Sequence, residues 1–300
     1  MLFAEVRSPS VLAARPSPYA PMYTVAVINQ KGGVGKTVTT VNLAAALKHK
    51  GHDPLVVDYD SQMNATDWLM GREATEDDAT IFDSLAAWDG ETADERTFAN
   101  IFRSSDTVGI DFIPSDRRMA AASFDAVIGR SAVFPQQFRS RIQEFRTAEV
   151  QRNSSSPKNH DYCLIDCPPS LGRSIATALA GADGIIVPIH ADRFSMRGVS
   201  QLQETIKQIR KVHNDSLRIL GLLPNDLDLR SGMVSDMQEK FENIYSDILF
   251  DTFIPWRSKI NEVATHGKNI MEYEGASDAA SRYLDLAHEV VERSRIATAA

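Results

Sequence analysis

Short apolar runs recur along the 300-residue chain, at Val25–Ile28, Leu55–Val57, Ile110–Ile113, Tyr162–Ile165, Gly184–Ile189, Ile219–Leu223 and Leu249–Ile254. They are close to continuously hydrophobic, the pattern of strands covered on both faces. Longer amphipathic stretches lie between most of them: Val41–Lys50, Pro135–Val150, Ser174–Ala182, Ser200–His213 and Gly232–Tyr245. A last one, Ala276–Arg295, carries Tyr283, Leu284, Ala287, Val290 and Val291 on one stripe. Strand–helix alternation of this kind predicts an α/β fold, a doubly wound, mostly parallel sheet with helices on both faces.

Punctuation is sparse. No internal repeat or linker divides residues 22–300, so one domain is expected there. Residues 1–21 hold Pro9, Pro16, Pro18 and Pro21 and lack an apolar h-region, which reads as a disordered leader and not a secretory signal. Residues 71–108 are acidic and helix-prone around an Asp89-Gly90 turn, and residues 151–160 read as a polar surface loop.

Composition narrows the class without deciding it. Hydrophobic residues at 43% and charged residues at 24% are ordinary for a globular chain, and no apolar run nears the roughly 20 residues that span a bilayer. The net charge is −8. Segment 71–125 alone accounts for it, with thirteen acids against five bases, and is expected to be a solvated acidic face. Cys163 and Cys167 lie four apart on one predicted strand, too distant for a disulfide, and are expected to be buried free thiols.

The chemistry concentrates at Lys31-Gly32-Gly33-Val34-Gly35-Lys36-Thr37, between the first strand and the first helix. A strand, a glycine-rich loop and a helix N-terminus place backbone N–H groups and positive potential around phosphate oxygens. Lys36 can reach the β- and γ-phosphates, and the Thr37 hydroxyl can ligate Mg²⁺. The generic phosphate-loop motif wants glycine at position 30, where this chain has Gln30, followed by the second lysine, Lys31.

That two-lysine motif resembles the deviant Walker A motif of the ParA/MinD family of ATPases. The resemblance implies ATP held by Gly32, Gly33, Val34, Gly35, Lys36, Thr37 and Val38. It also implies a sandwich homodimer in which Lys31 reaches the partner's ATP, so that Lys31, Lys36 and Asp60 are the catalytic candidates. Asp58-Tyr59-Asp60-Ser61-Gln62-Met63-Asn64-Ala65-Thr66 is similar to the family's D-x-D-P-Q-G-N-A-T switch, with Ser61 for proline and Met63 for glycine. By that match Asp60 positions or polarises the attacking water, and Asp58 lies in the outer shell of the Mg²⁺. Asp166-Cys167-Pro168-Pro169-Ser170-Leu171 resembles the Walker B strand end, making Asp166, with Thr37, a magnesium-site residue. Leu220–Asn225 and Ile254–Lys268 are similar to later family segments, which imply an adenine pocket lined by Asn225 and Pro255.

The Pro255–Lys268 stretch is closest to the ParA branch. This implies a chromosome or plasmid partition ATPase, cytoplasmic and nucleoid-associated. Its ATP-bound dimer would hold DNA without sequence preference, and a ParB-like partner would stimulate hydrolysis. The DNA-binding candidates are Arg257, Lys259 and Arg218, with Arg193, Arg197, Lys207, Arg210 and Lys211 behind them. A ParA-like ATPase that positions a non-DNA cargo is the alternative. A MinD-like membrane switch would need a basic amphipathic C-terminal helix, which the acid-containing Asp285–Arg293 does not offer, so no membrane is expected.

Overall fold

The computed structural model describes residues 22–75, 77–86, 97–120, 137–145, 160–169, 173–190, 193–227, 241, 243–256, 258–274 and 277–299. Several expectations lie outside them: the leader at 1–21, the Asp89-Gly90 turn, residues 151–159 of the polar loop, residues 232–240 and 242 of the helix expected over Gly232–Tyr245, and Arg257.

Among the described residues eight strands form one sheet: β1 (Tyr23–Val27), β2 (Pro54–Asp58), β3 (Arg103–Ser104), β4 (Asp111–Ile113), β5 (Tyr162–Asp166), β6 (Gly184–Ile189), β7 (Arg218–Leu227) and β8 (Ile254–Pro255). Their order is β3-β4-β2-β5-β1-β6-β7-β8. Every pairing is parallel except β3 with β4. The expected doubly wound sheet is therefore present, and the antiparallel β3 is an addition. Two residues in an edge strand carry no periodic signal, and Arg103–Ser104 is held by pairing with Phe112 and Asp111. The apolar run expected at Leu249–Ile254 is divided, with Leu249 making only an isolated bridge to Leu222 before β8.

The helices are α1 (Lys36–His49), α2 (Asn64–Met70), α3 (Ile81–Ala86), α4 (Phe98–Ile101), α5 (Arg173–Gly181), α6 (Arg193–Val212), α7 (Ser258–Thr265), α8 (Ile270–Glu274) and α9 (Asp278–Ala299). Residues 137–145 are helical as well. α1 begins at Lys36, five residues before its expected start, because polar Lys36, Thr37, Thr39 and Thr40 conceal the helical period.

Continuous apolar strands bury both faces. Ala26 and Ile28 point into one core with Leu55, Val57, Ile165 and Val187. Tyr23 and Val25 point into the other, with α1 (Leu43, Ala44, Leu47) and α9 (Tyr283, Leu286, Ala287, Val290). Cys163 and Cys167 are buried in the first core as free thiols, as expected.

The acidic segment departs from the expectation only in part: Glu73, Asp77 and Asp106 are exposed, but four aspartates are held by basic partners. Asp78 meets Arg72 at 2.8 Å and Arg103 at 3.0 Å. Arg118 meets Asp83 at 2.9 Å and Asp116 at 2.6 Å, while Asp111 faces His160 at 3.0 Å. Among the described residues these four aspartates pack β3, β4 and α3 together and do not form a solvated face.

Candidate active site

Beyond β1 the backbone turns through residues 28–35 before α1. The turn requires left-handed conformations at Gly33 (φ 74°) and Gly35 (φ 82°), which glycine adopts without the steric cost of a Cβ. Gly35 caps α1, and no side chain hydrogen-bonds to the cap. The first N–H groups of the helix are thus left for an anion.

Two asparagines brace this loop. Asn29 accepts from the Lys31 N–H at 3.0 Å and donates to the Pro188 carbonyl at 2.6 Å, fastening the first limb to the end of β6. Asn225 donates to the Val34 carbonyl at 2.7 Å, fastening the second limb to β7. Asn29 was not a site candidate on sequence grounds, because nothing local marks an asparagine as the link to a strand 159 residues away. Asn225, expected beside an adenine, also holds the phosphate loop.

The two lysines part company here. Lys36 is buried, and its ammonium donates to the Lys31 carbonyl at 3.4 Å. Burial lowers its pKa, while the charges of Asp166 and Asp60 work in the opposite direction. Lys31, on the same loop, is exposed.

Asp166 ends β5, beside Lys36. Its Oδ2 accepts from the Thr37 hydroxyl at 2.6 Å, and its Oδ1 is buried without a hydrogen-bond partner among the described residues. An available carboxylate oxygen next to a hydroxyl suits a hard divalent cation, so Thr37 and Asp166 fit Mg²⁺. Desolvation holds the Asp166 carboxyl well above the usual carboxylate range, and the nearby Asp58 charge adds to the effect.

Asp58 pairs in register with Asp166 on the adjacent strand. Its Oδ1 accepts from the Asp60 N–H at 3.0 Å, and its Oδ2 accepts from the N–H and hydroxyl of Thr66, both at 2.8 Å. Burial pushes its pKa up to about 7 against the pull of those bonds. Both oxygens serve the fold of the switch segment, so Asp58 acts on the loop before it acts on any ion. Asp60 is buried next door, with its Oδ1 accepting from the Gln62 N–H at 3.0 Å. Met63, where the family motif has glycine, takes a left-handed φ of 59° as the cap of α2.

Lys36, Thr37, Asp58, Asp60, Asp166 and Asn225 thus converge at the C-terminal ends of the parallel strands, where open α/β sheets bind ligands. Pro255 is buried at the end of β8, opposite Leu227. Trp256 follows it, 45% exposed, its N–H bonded to the Leu227 carbonyl at 2.9 Å. Val38 is partly buried against the α1 side of the core. Lys259 is exposed on α7, and Lys207, Arg210 and Lys211 are exposed on α6. Arg218 is half-buried at the opposite, N-terminal end of β7, away from the phosphate loop.

The chain is similar to known proteins in sequence and in fold. The family model AAA_31, an AAA domain, matches residues 22–219. The sporulation initiation inhibitor protein Soj of Bacillus subtilis is 34% identical over 267 residues, covering 89% of this chain and 97% of Soj. The chromosome partitioning protein ParA of Caulobacter vibrioides is 30% identical over 275 residues, covering 92% and 96%. Among solved structures, cobyrinic acid a,c-diamide synthase from Mycobacterium smegmatis with bound ADP and magnesium superposes with a TM-score of 0.67. It is 27% identical and covers 81% of this chain and 93% of that one.

Proposed function

We infer the function from the family to which the chain belongs: it is an AAA_31 AAA-domain protein, a relative of Soj and ParA, and an ATPase with ATP and Mg²⁺ as cofactors. We propose that it is a partition ATPase whose ATP-bound homodimer holds DNA without sequence preference and lets go on hydrolysis. A ParB-like partner would set the rate of that last step.

The observation that carries the reading is the contrast between the two loop lysines. Lys36 is buried against Asp166 and serves its own site, whereas Lys31 stands exposed on the same loop, where a second subunit's nucleotide can meet it. An added cation on a transferring phosphoryl group stabilises the charge that develops there.

Within one subunit the chain's residues divide the work. The glycine loop and the α1 N-terminus would bind the phosphates, Lys36 would neutralise them, and Thr37 with Asp166 would hold Mg²⁺, which would supply further charge neutralisation for the phosphoryl group. Asp60 would orient the attacking water, and Asn225 and Pro255 would flank the base. Lys259, Arg257 and Arg218 are the DNA-contact candidates. Steep weakening of binding with salt is the signature that phosphate contacts would leave.

Lys31→Ala is the test. The variant should bind ATP but lose nucleotide-dependent dimerisation, read by light scattering, together with hydrolysis. Normal hydrolysis by Lys31→Ala would end the sandwich-dimer reading. A gel shift in ADP, ATP and a slowly hydrolysed analogue then tests the DNA step, and binding in no nucleotide state would leave an ATPase with a different matrix.

A further inference from the structure

The switch segment does not hold its own shape. Asp58 fixes Asp60 through the Asp60 N–H, and Asp58 is in turn fixed by Thr66. The Thr66 hydroxyl is committed twice: it donates to Asp58 Oδ2 at 2.8 Å, and it accepts from the Ser115 N–H at 2.8 Å. Ser115 lies just past the end of β4, the strand beside β2. Asp58, Thr66 and Ser115 are all essentially inaccessible to solvent.

A hydroxyl has one proton, and here it goes to Asp58. The bond from Ser115 arrives at a lone pair, so the direction of the donor is set from a second element. Buried hydrogen bonds linked in this way resist rotation more than any one alone, and each broken link leaves an unsatisfied buried group. We propose that Thr66 is a positioning residue for ATP hydrolysis, tying the end of β4 to Asp58 and through it setting the orientation of Asp60. Thr66 touches neither nucleotide nor water in this scheme. It acts on the chemistry because displacement of a water-orienting group by about 1 Å can cost on the order of a hundredfold in rate.

The inference rests on the reading that Asp60 orients the attacking water, so Asp60→Ala is measured beside it. Thr66→Val keeps the shape and removes the hydroxyl; Thr66→Ser keeps the hydroxyl and removes the methyl. For the full chain with Mg²⁺, Thr66→Val should lower kcat by about tenfold or more while KM and the affinity for a fluorescent ATP analogue stay at wild-type values. Thr66→Ser should recover most of kcat. Should Thr66→Val fail to fold, Thr66→Ala reads the same split. Wild-type kcat in the hydroxyl-free variant, or equal defects in kcat and nucleotide affinity that Thr66→Ser does not rescue, would overturn the proposal. If Asp60→Ala hydrolyses ATP normally, the reading of Asp60 falls with it. If Asp60→Ala is inactive and the hydroxyl-free variant is normal, the role of Thr66 alone is rejected.

Discussion

Asn225 and Val34 stand 191 residues apart, yet a 2.7 Å hydrogen bond from the Asn225 amide to the Val34 carbonyl joins β7 to the phosphate loop. The approach is so close that a Cβ on the neighbouring Gly35 would lie 2.3 Å from Asn225 Nδ2, with its backbone already at φ +82°. Gly35→Ala therefore suffers twice. It should lose roughly 1–2 kcal/mol to the left-handed backbone alone, and more to displacement of Asn225. Urea unfolding and nucleotide titration should both show the loss, whereas Gly32→Ala, with open space around its Cβ, should unfold like wild type.

Met63 offers the reverse experiment. Its side chain sits on a left-handed residue (φ 59°, ψ 20°), a conformation glycine takes without strain. Met63→Gly should raise stability by about 0.5–1 kcal/mol, since relief of the left-handed strain exceeds the entropy glycine adds to the unfolded chain. An unchanged or lower urea midpoint would mean that Met63 packs well enough to offset the strain.

Buried carboxylates make a pH prediction for the nucleotide-free protein. The Asp58 pKa is about 7 when folded and near 3.8 when unfolded. Between these values the native state binds more protons than the unfolded state, so the contribution of this group to stability falls as pH rises from about 4 to 7. Asp58→Asn has no such proton to lose. Its thermal midpoint, subtracted from that of wild type, should give a difference that shrinks, in the variant's favour, as pH rises across this window and levels off above it. A pH-independent difference would refute the shift.

The two cysteines should be silent until the fold opens. Both are buried, and burial pushes the Cys167 thiol well above its ordinary range, so little thiolate is available. A thiol reagent such as Ellman's should titrate neither in the native protein and both on unfolding. Rapid native reaction of either would show that the end of β5 opens locally.

What the sequence settles by itself is whatever lies within a few residues. The phosphate loop is legible because Lys31 to Thr37 are consecutive and the strand and helix flanking it are marked by their own periodicity. Asp60 and Asp166 are legible for the same reason, each standing at the end of an apolar strand that a parallel sheet must send to the ligand edge. Tertiary structure decides the rest, since the partners are remote and carry no mark of each other. Only folding brings Ser115 onto Thr66, Asn225 onto Val34 and Asn29 onto Pro188. It also pairs four aspartates of the acidic run, Asp78 and Asp111 buried and Asp83 and Asp116 half-buried, because Arg72, Arg103, Arg118 and His160 reach them from other turns and strands. Hydrophobic period fixes which face of an element is buried. Which polar groups then meet depends on strand order and register, and those are properties of the whole sheet.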